Sequence, residues 1–186
     1  MPTPISVTHL PDSASRSLSR AVRLFRLPVL GLLVTLLSGA CSKHTGLDES
    51  VRNLAFSTLE GEQIVLSQVG GPILVNFWST SCAICLREMP DMVDLYQDYR
   101  GSEFELLAVA MPYDAPNQVL ELAEARQWPF PIALDIRGEA LEAFSSVKGT
   151  PTSYLIDADG RLVKRYVGAI PFERLREQLD TLLGVS

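Results

Sequence analysis

The sequence predicts an α/β fold, a central sheet with helices on both faces. Three observations carry this reading. Two nearly continuous apolar runs, Ile73 to Trp78 and Phe104 to Met111, have the composition of strands buried on both sides of a sheet. Between and after them lie segments whose apolar residues recur at spacings of three and four, the signature of one helical face. The two kinds of segment alternate along the chain, and such alternation implies sheet and helix layers packed on one another.

Each element has its own local reason. Phe56 to Leu66 carries strand-like residues around Glu60-Gly61-Glu62, the pattern of a hairpin turn. Gly70-Gly71-Pro72 breaks the chain before the first buried strand. Cys82 to Tyr99 reads as a helix interrupted by Pro90, with Leu86, Met89, Val93 and Tyr96 on one face. A second helix follows over Pro116 to Arg126, with Val119, Leu122 and Ala123 together. Trp128-Pro129-Phe130-Pro131 is a rigid connector into a short strand, Ile132 to Leu134. Glu139 to Phe144 is a short helix. Thr152 to Ile156 and Leu162 to Val167 flank Asp157-Ala158-Asp159-Gly160, a strong hairpin signal. Pro171 opens a terminal helix, where proline is favourable, and Phe172, Leu175, Leu179 and Leu182 form its apolar face.

Composition narrows the possible functions. A chain of 186 residues, 47% apolar and 20% charged, fits one globular domain with an appendage. It excludes wholesale disorder, collagen and coiled-coil rods. Three Cys are too few for a disulfide-dense mini-protein. Of the 16 basic residues only Arg16, Arg20, Arg23 and Arg26 precede Ala40, against one of the 22 acidic residues, Asp12, so the remainder carries a net charge of −9. An acidic body without a basic cluster argues against nucleic-acid binding.

The front of the chain is a different kind of sequence. Leu27 to Ala40 are 14 uncharged residues behind the Arg-bearing stretch, short against the roughly 20 needed to cross a bilayer. This is the pattern of an export signal. It ends Leu37-Ser38-Gly39-Ala40-Cys41, and small residues directly before a Cys resemble a bacterial lipobox. That resemblance implies a lipid on Cys41 as the first mature residue. It departs from the usual pattern in placing the Leu four residues before the Cys. An ordinary cleaved signal, or an anchor with an incidental Cys, remains open. The reading divides the chain into a signal peptide over 1–40, a lipidated Cys41 with a polar tether over 41–50, and a folded domain over 51–186. The domain is expected outside the cytoplasm, where disulfides persist.

The chemistry centres on Cys82-Ala83-Ile84-Cys85. Two Cys three apart, after a buried strand and at the start of a helix, form a redox motif. A helix N-terminus presents unpaired N–H groups and partial positive charge, which stabilises a thiolate. Cys82 is expected at the exposed end, able to attack a disulfide sulfur; Cys85, one turn in, resolves the mixed disulfide. An inert disulfide or half of a zinc site are the bland alternatives. A zinc site needs four ligands, and the only His residues are His9 in the leader and His44 in the tether.

Around that motif the run LVNFWSTSCAICLREMP, Leu74 to Pro90, resembles the thioredoxin superfamily, and more closely the TlpA/ResA-type membrane-anchored thiol-disulfide oxidoreductases of bacterial envelopes. Gly149-Thr150-Pro151-Thr152, Leu155-Ile156-Asp157 and Asp159-Gly160 match too, and the likeness covers about residues 51 to 184. It implies a thioredoxin-like fold, a central mixed sheet flanked by helices with an N-terminal β-hairpin extension. It implies that Pro151 is a cis-proline lying against the cysteine pair, that the Thr150 backbone can pair with a substrate strand, and that Pro90 is structural. Glu88 matches a partly buried acid that exchanges a proton with Cys85, while other thioredoxins carry an Asp where this chain has Asn76. A solvated helix acid is the alternative for Glu88. Trp78 is expected to line the site, a plain core Trp being the alternative. Ser81 departs from the Trp that most relatives carry directly before the first Cys. Ile84 adds exposed apolar surface suited to a protein partner.

The resemblance therefore implies an enzyme that reduces protein disulfides in the envelope, its clients of the cytochrome c maturation or copper-site assembly kind. The thiols are the redox group and no bound cofactor is called for. A DsbD-type transmembrane relay would supply electrons. A peroxiredoxin-like peroxidase would need a P-x-x-x-T-x-x-C setting, absent here. A Sco-like copper chaperone would need wider Cys spacing and a distant His, and no His lies in the folded body.

Overall fold

The computed structural model describes residues 47–145 and 147–185. The signal segment 1–40, Cys41 and the tether as far as residue 46 lie outside the described residues. The chain runs α1 (Glu49–Arg52), β1 (Ala55–Ser57), β2 (Gln63–Val65), a 3-10 turn (Leu66–Gln68), β3 (Ile73–Trp78), α2 (Ala83–Asp98) and β4 (Glu105–Ala110). It continues with α3 (Pro116–Arg126), β5 (Ile132–Leu134), α4 (Glu139–Ala143), β6 (Thr152–Ile156), β7 (Leu162–Val167) and α5 (Phe172–Leu183).

Five strands form one mixed sheet in the order β5-β4-β3-β6-β7. β3, β4 and β5 are parallel, because α2 and α3 cross over between them. β6 and β7 are antiparallel to their neighbours. A four-residue turn is enough to join them, and Gly160 at φ 74° closes it with its N–H on the Asp157 carbonyl, 2.9 Å away. β3 lies in the middle of the sheet, and all six of its residues are buried.

Strand alternation divides β3 between two cores. Leu74 and Trp78 point into a cluster with Cys85, Met89, Met92 and Leu95 of α2, Val119 of α3, and Leu175 and Leu179 of α5. Ile73, Val75 and Phe77 point into a second cluster with Val51 of α1, Phe56 of β1, and Ala140 and Phe144 at α4. Phe77 meets the Phe144 ring edge-on at 5.1 Å. The β1–β2 hairpin is a separate two-stranded sheet. It hooks onto the edge strand through a Thr58–Ala133 bridge and a 2.8 Å bond from Leu59 N–H to the Ile132 carbonyl. That covers one open strand edge. The mixed sheet, its helices on both faces and the N-terminal hairpin are those of a thioredoxin-like fold.

Two local readings change. Pro90 does not interrupt α2, which runs through it from Ala83 to Asp98. Proline removes one i→i−4 bond, here at the exposed Pro90 on the water side of the helix, while Met89 and Met92 hold the inner face. The other is α1, which spans the 50/51 boundary drawn from the polar pattern. Leu47 and Val51 pack into the second core, and two apolar residues are too few to show a period.

Candidate active site

β3 ends at Trp78 and α2 begins at Ala83, so four residues carry the chain from the end of the sheet to the helix. Cys82 is the N-cap of α2, and its Sγ accepts the Cys85 N–H at 3.1 Å. The two sulfurs form a disulfide, with Cα atoms 5.3 Å apart. Cys82 is half-buried and Cys85 is 2% exposed. Cys82 is therefore the more accessible of the two, and Cys85 belongs to the core. After reduction the Cys85 N–H that meets Cys82 Sγ is placed to stabilise a thiolate there.

Glu88 lies one turn further along α2 and is 7% exposed, so it is not a solvated helix acid. Its Oε1 accepts the Ile170 backbone N–H, and its Oε2 is buried without a partner among the described residues. Burial pushes its carboxyl above the usual range; Asp91 adds to this, while the Ile170 N–H and Arg87 oppose it.

The Thr150–Pro151 peptide is cis. Pro151 is buried and Thr150 half-buried. Thr152 Oγ1 donates to the Gly149 carbonyl at 2.7 Å, and the Pro151 carbonyl accepts the Gly168 N–H at 2.9 Å. Thr152 pairs with Phe77 and Trp78 with Ala110. The register thus brings the Pro151 loop to the end of β3 from which Cys82 departs.

Ile84 is 41% exposed between the two Cys. Trp78, expected at the wall of the site, is 0% exposed. It packs in the same core as Cys85 and meets Trp128 edge-on at 5.3 Å, so it forms the floor behind the pair rather than a surface that a client touches. The strand run was equally apolar for either orientation.

Sequence reasoning missed Asp114, in the loop after β4. Its Oδ1 accepts Ser79 Oγ–H and Thr80 Oγ1–H, both at 2.9 Å, and its Oδ2 accepts the Thr80 N–H at 3.0 Å. The Ser-Thr-Ser run before Cys82 was the available signal, since three hydroxyls beside a buried strand need acceptors.

Comparisons with known proteins give the family. The model of the AhpC/TSA family matches residues 47–165. The thiol-disulfide oxidoreductase ResA of Bacillus cereus is 32% identical over 168 residues, 86% of this chain and 94% of the relative. The crystal structure of StoA from Bacillus subtilis superposes with a TM-score of 0.60 at 28% identity, covering 67% of this chain and 93% of that one. A thiol:disulfide interchange protein of the thioredoxin family from Chlorobium tepidum gives 0.63 at 25%, covering 70% and 93%. With a cysteine pair capping a helix over a buried carboxyl, this chain belongs to the AhpC/TSA family and to the ResA-type thiol-disulfide oxidoreductases.

Proposed function

We propose that this enzyme reduces disulfides of client polypeptides outside the cytoplasm. In the reduced form the Cys82 thiolate attacks one client sulfur, and a mixed disulfide forms as the other leaves as a thiolate. Cys85 then gives its proton to Glu88 and attacks Cys82 Sγ. The second client sulfur leaves, the client gains two electrons, and the chain returns to the Cys82–Cys85 disulfide. The observation that carries this reading is the asymmetry of the pair: Cys82 half-buried, Cys85 2% exposed on the helix that carries the buried Glu88.

Exposed Ile84 and the Thr150–Pro151 segment are the surfaces proposed to meet the client. Clients of the cytochrome c maturation or copper-site assembly kind fit the family. Resetting the cycle needs a donor of two electrons, assigned here to a DsbD-type membrane relay. Export by residues 1–40 and a lipid on Cys41 would hold the domain at the periplasmic face of the envelope.

The test is trapping. Cys85→Ala accumulates mixed disulfides through Cys82, identified by mass spectrometry, whereas Cys82→Ala does not. Equal trapping by Cys82→Ala reverses the two roles. A purified chain that exchanges with neither dithiothreitol nor glutathione overturns the reading.

A further inference from the structure

The segment Ser79-Thr80-Ser81 delivers the chain from a buried strand to the attacking sulfur, and one carboxylate holds it. Asp114 accepts three hydrogen bonds there, two from side-chain hydroxyls and one from the backbone of Thr80. Hydrogen bonds to a charged acceptor are about twice as strong as neutral ones. They also fix the direction of a proton chain. Ser79 has a single hydroxyl hydrogen and gives it to Asp114. In the 2.9 Å contact between Ser79 Oγ and Ser81 Oγ, the donor is therefore Ser81. Ser79 Oγ also receives the Ser81 N–H at 3.3 Å, and the Ser79 carbonyl receives the Cys82 N–H at 3.0 Å.

Every residue from 79 to 82 is thus tied, directly or through one neighbour, to Asp114. The small hydroxyl and the backbone N–H of Ser81 both join this network through Ser79 Oγ.

We propose that Asp114 is a positioning residue for the redox reaction, holding residues 79–81 so that Cys82 Sγ stays on the Cys85 N–H at the mouth of α2. This rests on Cys82 being the attacking sulfur. Asp114 reaches the site from the β4–α3 loop, which is held by the 3.1 Å bond from Met111 N–H to the Trp78 carbonyl and the 3.0 Å bond from Asp114 N–H to the Met111 carbonyl. The anchor is therefore built on the sheet, not on the mobile freedom of an isolated loop. Once the disulfide opens, the S–S bond no longer restrains Cys82, and the Asp114 network is what keeps the sulfur registered on the helix.

The test compares reduced full-length protein with Asp114→Ala, Asp114→Asn and Thr80→Val. Iodoacetamide alkylation is followed against pH, and the labelled Cys is mapped by mass spectrometry. Losing the anchor frees the sulfur from the helix N-terminus, so Asp114→Ala raises the pH of half-maximal Cys82 labelling by about one unit. The rate at pH 7 falls roughly tenfold. Asp114→Asn retains an oxygen for the two hydroxyls but offers no second acceptor to the Thr80 N–H, so it falls between. A carboxylate acting only by its charge gives the opposite sign: its removal eases thiolate formation and lowers the midpoint, and that result overturns the proposal. An unchanged profile in a folded Asp114→Ala also overturns it. If Asp114→Ala does not fold, Thr80→Val removes one bond and leaves the charge, and it must shift the midpoint upward by a smaller amount; no shift is again fatal. Labelling of Cys85 in place of Cys82 in the unaltered protein removes the underlying assignment, a failure distinct from an unchanged Cys82 profile.

Discussion

Glu88 Oε1 accepts the backbone N–H of Ile170, 82 residues further along the chain, while Glu88 Oε2 is buried with no hydrogen-bond partner among the described residues. The buried acid on the cysteine helix is thus half satisfied. Its protonated form is favoured by burial, and its ionised form keeps one strong donor.

Glu88→Gln keeps an oxygen for Ile170 but cannot move a proton. Thiol exchange at neutral pH is expected to slow by about 100-fold, within the usual contribution of a positioned acid or base. Stopped-flow exchange with a small disulfide measures it, and unchanged rates across pH would remove Glu88 from the mechanism.

The same shift has a consequence for stability. The Glu88 carboxyl has a folded value raised above 4.5, so the native state binds its proton more tightly than the unfolded chain. Stability from this group is fully present below the unfolded value and is lost as pH rises through the folded one. Glu88→Gln should abolish that loss. Its melting temperature relative to the unaltered protein should rise between pH 4 and pH 7.5, and a parallel pair of curves would contradict the assignment.

What was legible in the sequence was local. The β3 run, the Cys82-x-x-Cys85 spacing and the Asp157–Gly160 turn each carry their reason within a few residues, and all three stand where expected. Pro151 was legible only through the resemblance, since a cis bond leaves no mark on composition. What was not legible depended on distant partners. Asp114 is separated from Ser79 by 35 positions and Glu88 from Ile170 by 82. No periodicity links them. Trp78 was expected to line the site through the resemblance, with a plain core Trp as the alternative, because an unbroken apolar strand does not show which of its faces a helix covers.

Trp78 Nε1 is a buried donor without a partner among the described residues, which costs about 1–3 kcal/mol. Trp78→Phe removes that donor and part of the volume, so the two effects offset. A loss under about 2 kcal/mol is expected, against about 3–5 kcal/mol for Trp78→Ala. Urea denaturation separates them; equal losses would mean that the indole N–H is satisfied in solution.

Tyr99 OH donates to Asp180 Oδ1 at 2.6 Å, tying the end of α2 to α5. Burial, and then Asp180, push the phenol up to about 12. Because the folded value lies above the ordinary 10.0, stability is complete below pH 10 and falls as pH rises through about 12. Tyr99→Phe should be less stable near pH 8 and show a shallower alkaline decline. Identical alkaline slopes would place the titration elsewhere.

Gly70 and Gly71 look interchangeable in the sequence, yet they are not equivalent. A Cβ on Gly71 would lie 2.0 Å from the Glu103 carbonyl oxygen and 2.7 Å from its carbon, whereas one on Gly70 meets nothing within 4 Å among the described residues. The Glu103 atoms are main chain, held close by the 2.9 Å bond from Glu105 N–H to the Pro72 carbonyl, so they cannot rotate away. Gly71→Ala must separate β3 from the start of β4, the strand pair whose far end presents Cys82. A cost of about 3 kcal/mol follows from such overpacking, or a melting temperature lower by roughly 10 °C. Gly70→Ala, with no left-handed backbone to strain, should stay within about 0.5 kcal/mol of the parent. Calorimetry on the pair decides the matter: equal melting temperatures would mean that the β3–β4 approach is looser than 2.0 Å implies.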